Sequence, residues 1–440
     1  MKTLHLISLG CPKNLVDSEV MLGALVREGY SLTEKADEAD IIIVNTCAFI
    51  EDAKKEAIDT VLEMARHKKD GRCNMLVVAG CLPQRYSAEV EGLFPEVDLF
   101  VGAGEFPRIA ELIAKWQGGQ KTEVDRPSYI YDHESPRMLS TPSHMSYIKI
   151  AEGCFHPCSF CIIPKIRGGY RSRSMDSILK EAGVMLLSGV RELNLIAQDS
   201  TAYGRDAGAT LAQLLIELSE LPGEKWIRMM YAYPHDFPDA VIEAMKEHRD
   251  ICRYLDIPIQ HISEKVLAAM RRKGEGREIR ALIEKLRREI EGVSLRTSLI
   301  VGFPGETDKD FEELKSFVRE AEFEHLGVFV FSPEEGTPAA KLKKRVPRRV
   351  AQERQQEIME LQRGISLKKN TALVGKKMRA LVEGPSAETE LLIQARHEGQ
   401  APDIDGVIYI NEGEPRTGEF ATVEITEAHE YDLVASAVKP

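Results

Sequence analysis

The sequence predicts an α/β chain in three parts: an N-terminal domain on an open parallel sheet, a central partial barrel of six βα units, and a small five-stranded β-barrel at the C-terminus. Three observations predict it. Apolar runs rich in β-branched residues alternate with helical patterns up to about residue 331, the mark of βαβ units. A polar, proline-containing stretch at 118–143 interrupts that alternation and reads as a linker. Beyond residue 371 the pattern becomes short alternating runs separated by Gly, Pro and Asp, as in a small barrel. A chain of 440 residues is also longer than one hydrophobic core usually sustains.

In the first domain, 1–118, strands are expected at 4–9, 41–45, 75–79 and 97–101. The loops after the first three begin Gly10-Cys11, Thr46-Cys47 and Gly80-Cys81, whereas the fourth is followed by Gly102-Ala103-Gly104. Loops beyond the carboxyl ends of neighbouring parallel strands gather at one edge, so three cysteines distant in sequence are expected to meet. Their plain alternative is three buried structural thiols. Cys73 and Cys252 lack this placement and read as structural.

The central part, 140–370, carries expected strands at 147–150, 191–197, 226–232, 254–257, 295–301 and 325–331, and ends in a long polar helix at 346–370 that reads as an inter-domain connection. The loop after its first strand is Cys154-Phe155-His156-Pro157-Cys158-Ser159-Phe160-Cys161, three of the chain's eight cysteines. In a reducing compartment, clustered cysteines are metal ligands or reactive thiols more often than disulfides. Structural zinc wants four ligands and would have to recruit His156 or a distant cysteine. A 4Fe-4S cluster on three thiolates keeps one iron open. Phe155, Pro157, Phe160, Ile162 and Ile163 either shield such a centre from solvent or simply pack. The last part, 371–440, is expected to form strands at 378–382, 391–395, 407–410, 421–425 and 433–438.

C-x3-C-x2-C after the first strand of a six-unit βα chain resembles the radical S-adenosylmethionine (SAM) superfamily. The resemblance implies that Cys154, Cys158 and Cys161 hold a 4Fe-4S cluster and that SAM chelates its open iron. One electron would then cleave SAM to methionine and a radical able to take hydrogen from an unactivated carbon. By the positions that superfamily members use, Glu192, Gln198 and Asp199 after the second strand, and Ile300 to Gly302 in TSLIVGFPGET after the fifth, are expected to hold SAM. Gln260-His261 is a further strand-end pair. No general acid or base is assigned.

The stretches SLGCPKNLVDSEVM, NTCAFIEDAKKEA, AGCLPQRY and GCFHPCSFCIIPKIRGGYRSR, with the terminal barrel, resemble the radical SAM methylthiotransferases, whose order is a cluster domain, a radical SAM core and a TRAM domain. That implies a second 4Fe-4S cluster on Cys11, Cys47 and Cys81, one SAM supplying a methyl group and another the radical.

The family acts either on an aspartate β-carbon of small-subunit ribosomal protein twelve or on a tRNA adenosine. Net charge of the chain is -12. Residues 371–440 hold 13 acidic against 6 basic residues, which suits a basic ribosomal protein better than RNA, the plain alternative being a solvated acidic face. SLGCPKN, the Pro-Cys of GCFHPCSFC and AQDSTAYG also resemble the ribosomal-protein branch. Against this, residues 341–370 hold 10 basic and 3 acidic side chains, an excess that either contacts ribosomal or transfer RNA or simply solvates a helix. A zinc-stabilised RNA-binding adaptor is the non-enzymatic alternative. No apolar run approaches the ~18 residues of a membrane span, and MKTLHLISLGC turns too early for a signal peptide. A cytoplasmic monomer served by an unidentified reductant protein is expected.

Overall fold

The computed structural model describes residues 2–387, 389 and 391–438, so Met1 and residues 439–440, at the ends of the first and last expected domains, lie outside it. Its contacts group into two compact units. The first comprises Met1–Ser140, Lys149–Ile178 and Ser332–Ala340; the second comprises Thr141–Ile148, Leu179–Phe331 and Lys341–Pro440.

The first unit is built on a parallel sheet in the order Ser31–Leu32, Thr3–Ser8, Ile41–Thr46, Met75–Gly80, Leu99–Gly102, Lys121–Glu123. Ile41–Thr46 and Met75–Gly80 are buried at every residue, which is why they read as unbroken apolar runs rather than alternating ones. The two edge strands escaped the sequence reading because a short edge strand pairs on one side only and tolerates polar residues. One of them corrects the linker reading of 118–143, since Lys121–Glu123 pairs with Leu99, Phe100 and Val101. The same segment is tied down further on. Glu19, fully buried on the helix Pro12–Arg27, accepts hydrogen bonds from Arg137 at 2.6 and 2.9 Å, from the Ser140 backbone at 2.7 Å and from its hydroxyl at 3.0 Å.

The Cys154 loop belongs to this unit. Ala151–Glu152 pairs antiparallel with Arg171–Ser172 and closes the loop at its neck. Inside the neck Cys154 N donates to Gly168 O at 3.2 Å, and Gly153, at φ +81°, lies so close to Gly169 that a Cβ would meet its carbonyl at 2.1 Å. Ile162 and Ile166 then enter the core of the N-terminal sheet beside Ala48, Cys81 and Leu82. Full burial of each is worth about 1.5–3 kcal/mol, enough to seat the loop on that sheet. Residues 332–340 are fastened to it too: Ala339 N donates to Ser159 O at 2.8 Å and Arg85 to Glu334 at 2.9 Å.

In the second unit the strands run in the order His325–Val330, Ser294–Val301, Ile251–Asp256, Trp226–Met229, Glu192–Ile196, Met145–Lys149, an open sheet of the six predicted strands. The long helix, Arg348–Thr371, does more than connect. Its buried stripe, Ala351, Arg354, Ile358, Gln362 and Ile365, recurs at the i+3/i+4 spacing of one helix face. Arg354 pairs with Glu306 at 3.0 Å, and Gln362 donates to Phe323 O at 2.8 Å. The terminal barrel closes through Lys377–Pro385, Ile393–His397, Ile408–Glu412, Leu433–Ala437 and Phe420–Ala428, all five strands expected from the sequence.

Candidate metal centres

Cys11, Cys47 and Cys81 follow three consecutive strands, and polar side chains lock their loops together. Cys11 precedes Pro12–Arg27, and Cys81 begins the short helix Cys81–Arg85. Asn14 Nδ2 donates to Leu9 O at 2.7 Å and, more weakly, to Thr46 O at 3.3 Å; Asn45 Nδ2 returns a bond to Asn14 O at 2.9 Å. Thr46 Oγ1 donates to Ala79 O at 2.6 Å and accepts from Leu82 N at 3.2 Å. The Cys47 loop is thus clamped to both neighbours. Gly10, at φ +89°, shows how tight the approach is: a Cβ there would stand 2.5 Å from Cys47 Cβ and 3.0 Å from its Sγ.

Exposure grades from Cys11, which is open to solvent, through Cys47 to the buried Cys81. Burial, then the neighbouring Cys81 and Cys11, pushes the Cys47 thiol up to about 12. Burial likewise raises Cys81, against the downward pull of Arg167. Positive charge beside Cys47 and Cys81 favours their thiolates, and bound iron is such a charge. A set of three thiols with one exposed side suits a cluster bound at three corners. Among the described residues no group of three or more His, Cys, Asp or Glu is arranged to hold a single metal ion.

In the second triad Cys158 is buried and Cys154 and Cys161 are half-buried. Cys161 N donates to Cys158 O at 3.1 Å, and His156 N approaches Cys154 Sγ at 3.4 Å. Phe155 is half-exposed, with Tyr170 edge-on to its ring at 5.6 Å, while Ile162 is buried in the neighbouring core. The apolar surroundings expected of this loop therefore divide into a packed side and an open aromatic side. Cys73 and Cys252 are buried.

Sequence reasoning passed over the charged cluster beside the first triad. Arg167, at the end of the short helix Ile163–Ile166, donates from Nη2 to Asn14 Oδ1 at 3.0 Å and to Cys81 Sγ at 3.5 Å, and from Nη1 to Asp17 Oδ2 at 2.6 Å. Lys149 bonds to Asp17 and, at 2.7 Å, to Glu152. Two carboxylates and two cations balance, which permits their burial. The available signal was the placement of Arg167 in IIPKIRGG, directly after the last cysteine of the loop.

The residues expected to hold SAM lie in the second unit. Glu192 is the first residue of its strand, not part of the exit loop, and is fully buried with its carboxylate bonded to Arg228 at 2.8 Å and Arg396 at 2.5 Å. Its carboxylate is thus paired with two arginines. Gln198 and Asp199 do follow that strand, and Asp199 caps the turn Ser200–Ala202 by accepting from Thr201 N at 3.0 Å. Ile300 is half-buried near the end of Ser294–Val301. Gly302 has φ +76°, and a Cβ there would strike that of Ala351 at 2.4 Å. Gln260 adopts φ 71°. Beside it His261 is buried and held neutral, its ring pushed down to about 4 chiefly by burial, with Nδ1 accepting from Ser263 N at 3.0 Å.

The chain matches three families in sequence: the Uncharacterized protein family UPF0004 over residues 3–102, the Radical SAM superfamily over 148–318 and the TRAM domain over 374–438. It is 51% identical to the ribosomal protein uS12 methylthiotransferase RimO of Geotalea uraniireducens, over 99% of this chain and 98% of that one. The proteins of the same name from Geobacter sulfurreducens and Myxococcus xanthus are 49% and 51% identical, over 99% and 100% of this chain and 98% and 92% of theirs. Among solved structures, the radical S-adenosylmethionine methyltransferase TsrM from Kitasatospora setae, with cobalamin and a 4Fe-4S cluster bound, superposes with a TM-score of 0.57 at 15% identity, over 77% of each chain. That likeness speaks for the fold alone.

Proposed function

The chain belongs to the ribosomal protein uS12 methylthiotransferases, and from that membership we propose that it attaches a methylthio group to the β-carbon of an aspartate in that small-subunit ribosomal protein. The observation that carries this reading is the pair of three-cysteine sites in one compact unit, one assembled by three strand ends and one by a single loop. When bound, the two 4Fe-4S clusters and SAM supply hydrogen abstraction at carbon, a transferable sulfur and a methyl group. The protein's own part is to hold and orient. Cys154, Cys158 and Cys161 would grip the cluster that meets SAM, and Cys11, Cys47 and Cys81 the cluster that carries sulfur. Ile162 and Ile166 keep water from the inner side of the loop, and the half-exposed Phe155 and Tyr170 line its outer side.

The finer points rest on position and charge. Gln198, Asp199, Ile300 and Gly302 stand at or beyond the carboxyl ends of sheet strands, the end at which βα sheets bind their ligands, and this supports a role toward SAM. The excess of acidic residues in 371–440 suits the basic substrate, and the basic stretch 341–370 suits ribosomal RNA around it. No helix among the described residues is long and apolar enough to cross a membrane. A cytoplasmic location, a monomeric state and an electron-donor protein complete the proposal.

The test is to incubate the anaerobically reconstituted protein, SAM and a reductant with the ribosomal protein, free and on the small subunit, and separately with tRNA. A methylthio mass gain on an aspartate of the ribosomal protein is expected. A gain confined to a tRNA adenosine would overturn the choice of substrate.

A further inference from the structure

We propose that Arg167 couples the two cysteine sites, positioning Cys81 and setting how readily the centre on Cys11, Cys47 and Cys81 accepts an electron. The inference rests on the two-cluster reading above and goes beyond it by giving a role to a residue outside both triads.

Arg167 lies six residues after Cys161, on the turn that ends the loop of the other triad. That turn cannot drift. Gly168 is bonded to Cys154 at the neck, and Ile166 is sunk in the core that also contains Cys81. The Arg167 side chain is 3% exposed, and it divides its donors between the carboxylate of Asp17 on one side and Asn14 Oδ1 and Cys81 Sγ on the other. Asn14 is also the residue that clamps the Cys11 and Cys47 loops. A single guanidinium therefore touches the sulfur of one strand-end ligand and the clamp holding the other two. Lys149, the other buried cation of the cluster, is directed instead at Asp17 and Glu152.

The electrical consequence follows from charge. An iron-sulfur centre becomes more negative on reduction, and a buried cation donating to one of its sulfurs stabilises the reduced state, which raises its reduction potential. The planar fork of arginine allows one side chain to serve sulfur, amide and carboxylate together, which the point charge of lysine does not. Arg167 is thus a positioning residue, and any shift of the Cys154 loop reaches the other centre through it.

The experiment uses the full chain with Cys154→Ala, Cys158→Ala and Cys161→Ala together, so that only the strand-end centre remains, and adds Arg167→Lys or Arg167→Gln. Iron content and an anaerobic redox titration followed by electron paramagnetic resonance are the readouts. Arg167→Gln is expected to retain iron and to shift the oxidised-to-reduced equilibrium toward oxidised by about tenfold, equal to 59 mV for one electron. Arg167→Lys should fall between that and the parent. Equal potentials in all three iron-loaded proteins would overturn the proposal, because a merely structural arginine would leave the potential where it was. If Arg167→Gln loses its iron or its fold, the lysine protein decides: a lower potential than the parent supports the coupling, and an unchanged one overturns it. A parent that binds no iron would instead remove the two-cluster reading, and this inference with it.

Discussion

The two cysteine triads supply the same donor chemistry by opposite routes. Cys154, Cys158 and Cys161 lie within eight residues, and the covalent chain keeps them near one another whatever else folds. Cys11, Cys47 and Cys81 stand 36 and 34 residues apart and meet only when three parallel strands have paired and Asn14, Asn45 and Thr46 have locked their exit loops. The local site depends on its loop being seated, chiefly by apolar burial; the assembled site depends on polar clamps and close backbone approach. Each therefore has a weakness that the other lacks.

The sharpest test of that contrast is removal of the ligands. With Cys154, Cys158 and Cys161 changed to Ala, iron should fall from about eight to about four per chain and SAM cleavage should vanish. Changing Cys11, Cys47 and Cys81 to Ala should also leave about four irons but spare SAM cleavage while abolishing methylthio transfer. Iron counts with SAM-cleavage and product assays distinguish the two, and loss of both centres from either set would break the comparison.

Next in size is the apolar anchor of the local loop. Ile166→Ala deletes a side chain that is 1% exposed, and should cost about 2–5 kcal/mol of stability in denaturant unfolding. Because Arg167 follows it directly, the strand-end centre should also lose iron more readily to a chelator. The smallest effect is expected from Gly10→Ala, which forces a side chain into φ +89° and against Cys47 Cβ, at a cost of about 1–3 kcal/mol. Iron should then leave the strand-end site selectively, while SAM cleavage at the Cys154 loop continues. Equal loss from both sites would mean that the strand-end loops are not the more fragile arrangement.

The legibility of the two sites follows the same division. The C-x3-C-x2-C loop announced itself by spacing. The other triad was legible only through the recurrence of one cysteine after each of three apolar runs, because parallel pairing then brings those loops to one edge. Arg167 gave no such recurrence, since an ion pair 150 residues apart in sequence, such as Arg167 with Asp17, leaves no local period. The ion pairs of Glu192 were hidden from the sequence for a related reason. Its strand was correctly expected, but the arginines that claim its carboxylate lie on another strand and in the terminal barrel. The stretch 118–143 looked like a linker because its polarity hid a buried partner, Glu19, far upstream.

By itself, the sequence determined the six strands of the central sheet, the five of the closed barrel and the close spacing of Cys154, Cys158 and Cys161, because hydrophobic periodicity and covalent spacing act over a few residues and need no distant partner. Only the tertiary structure decided which buried charges neutralise one another, which loops are clamped, and that an arginine following one triad reaches the sulfur of the other. Those outcomes depend on contacts between segments far apart in sequence, and such contacts take effect only after the chain has closed the loops between them.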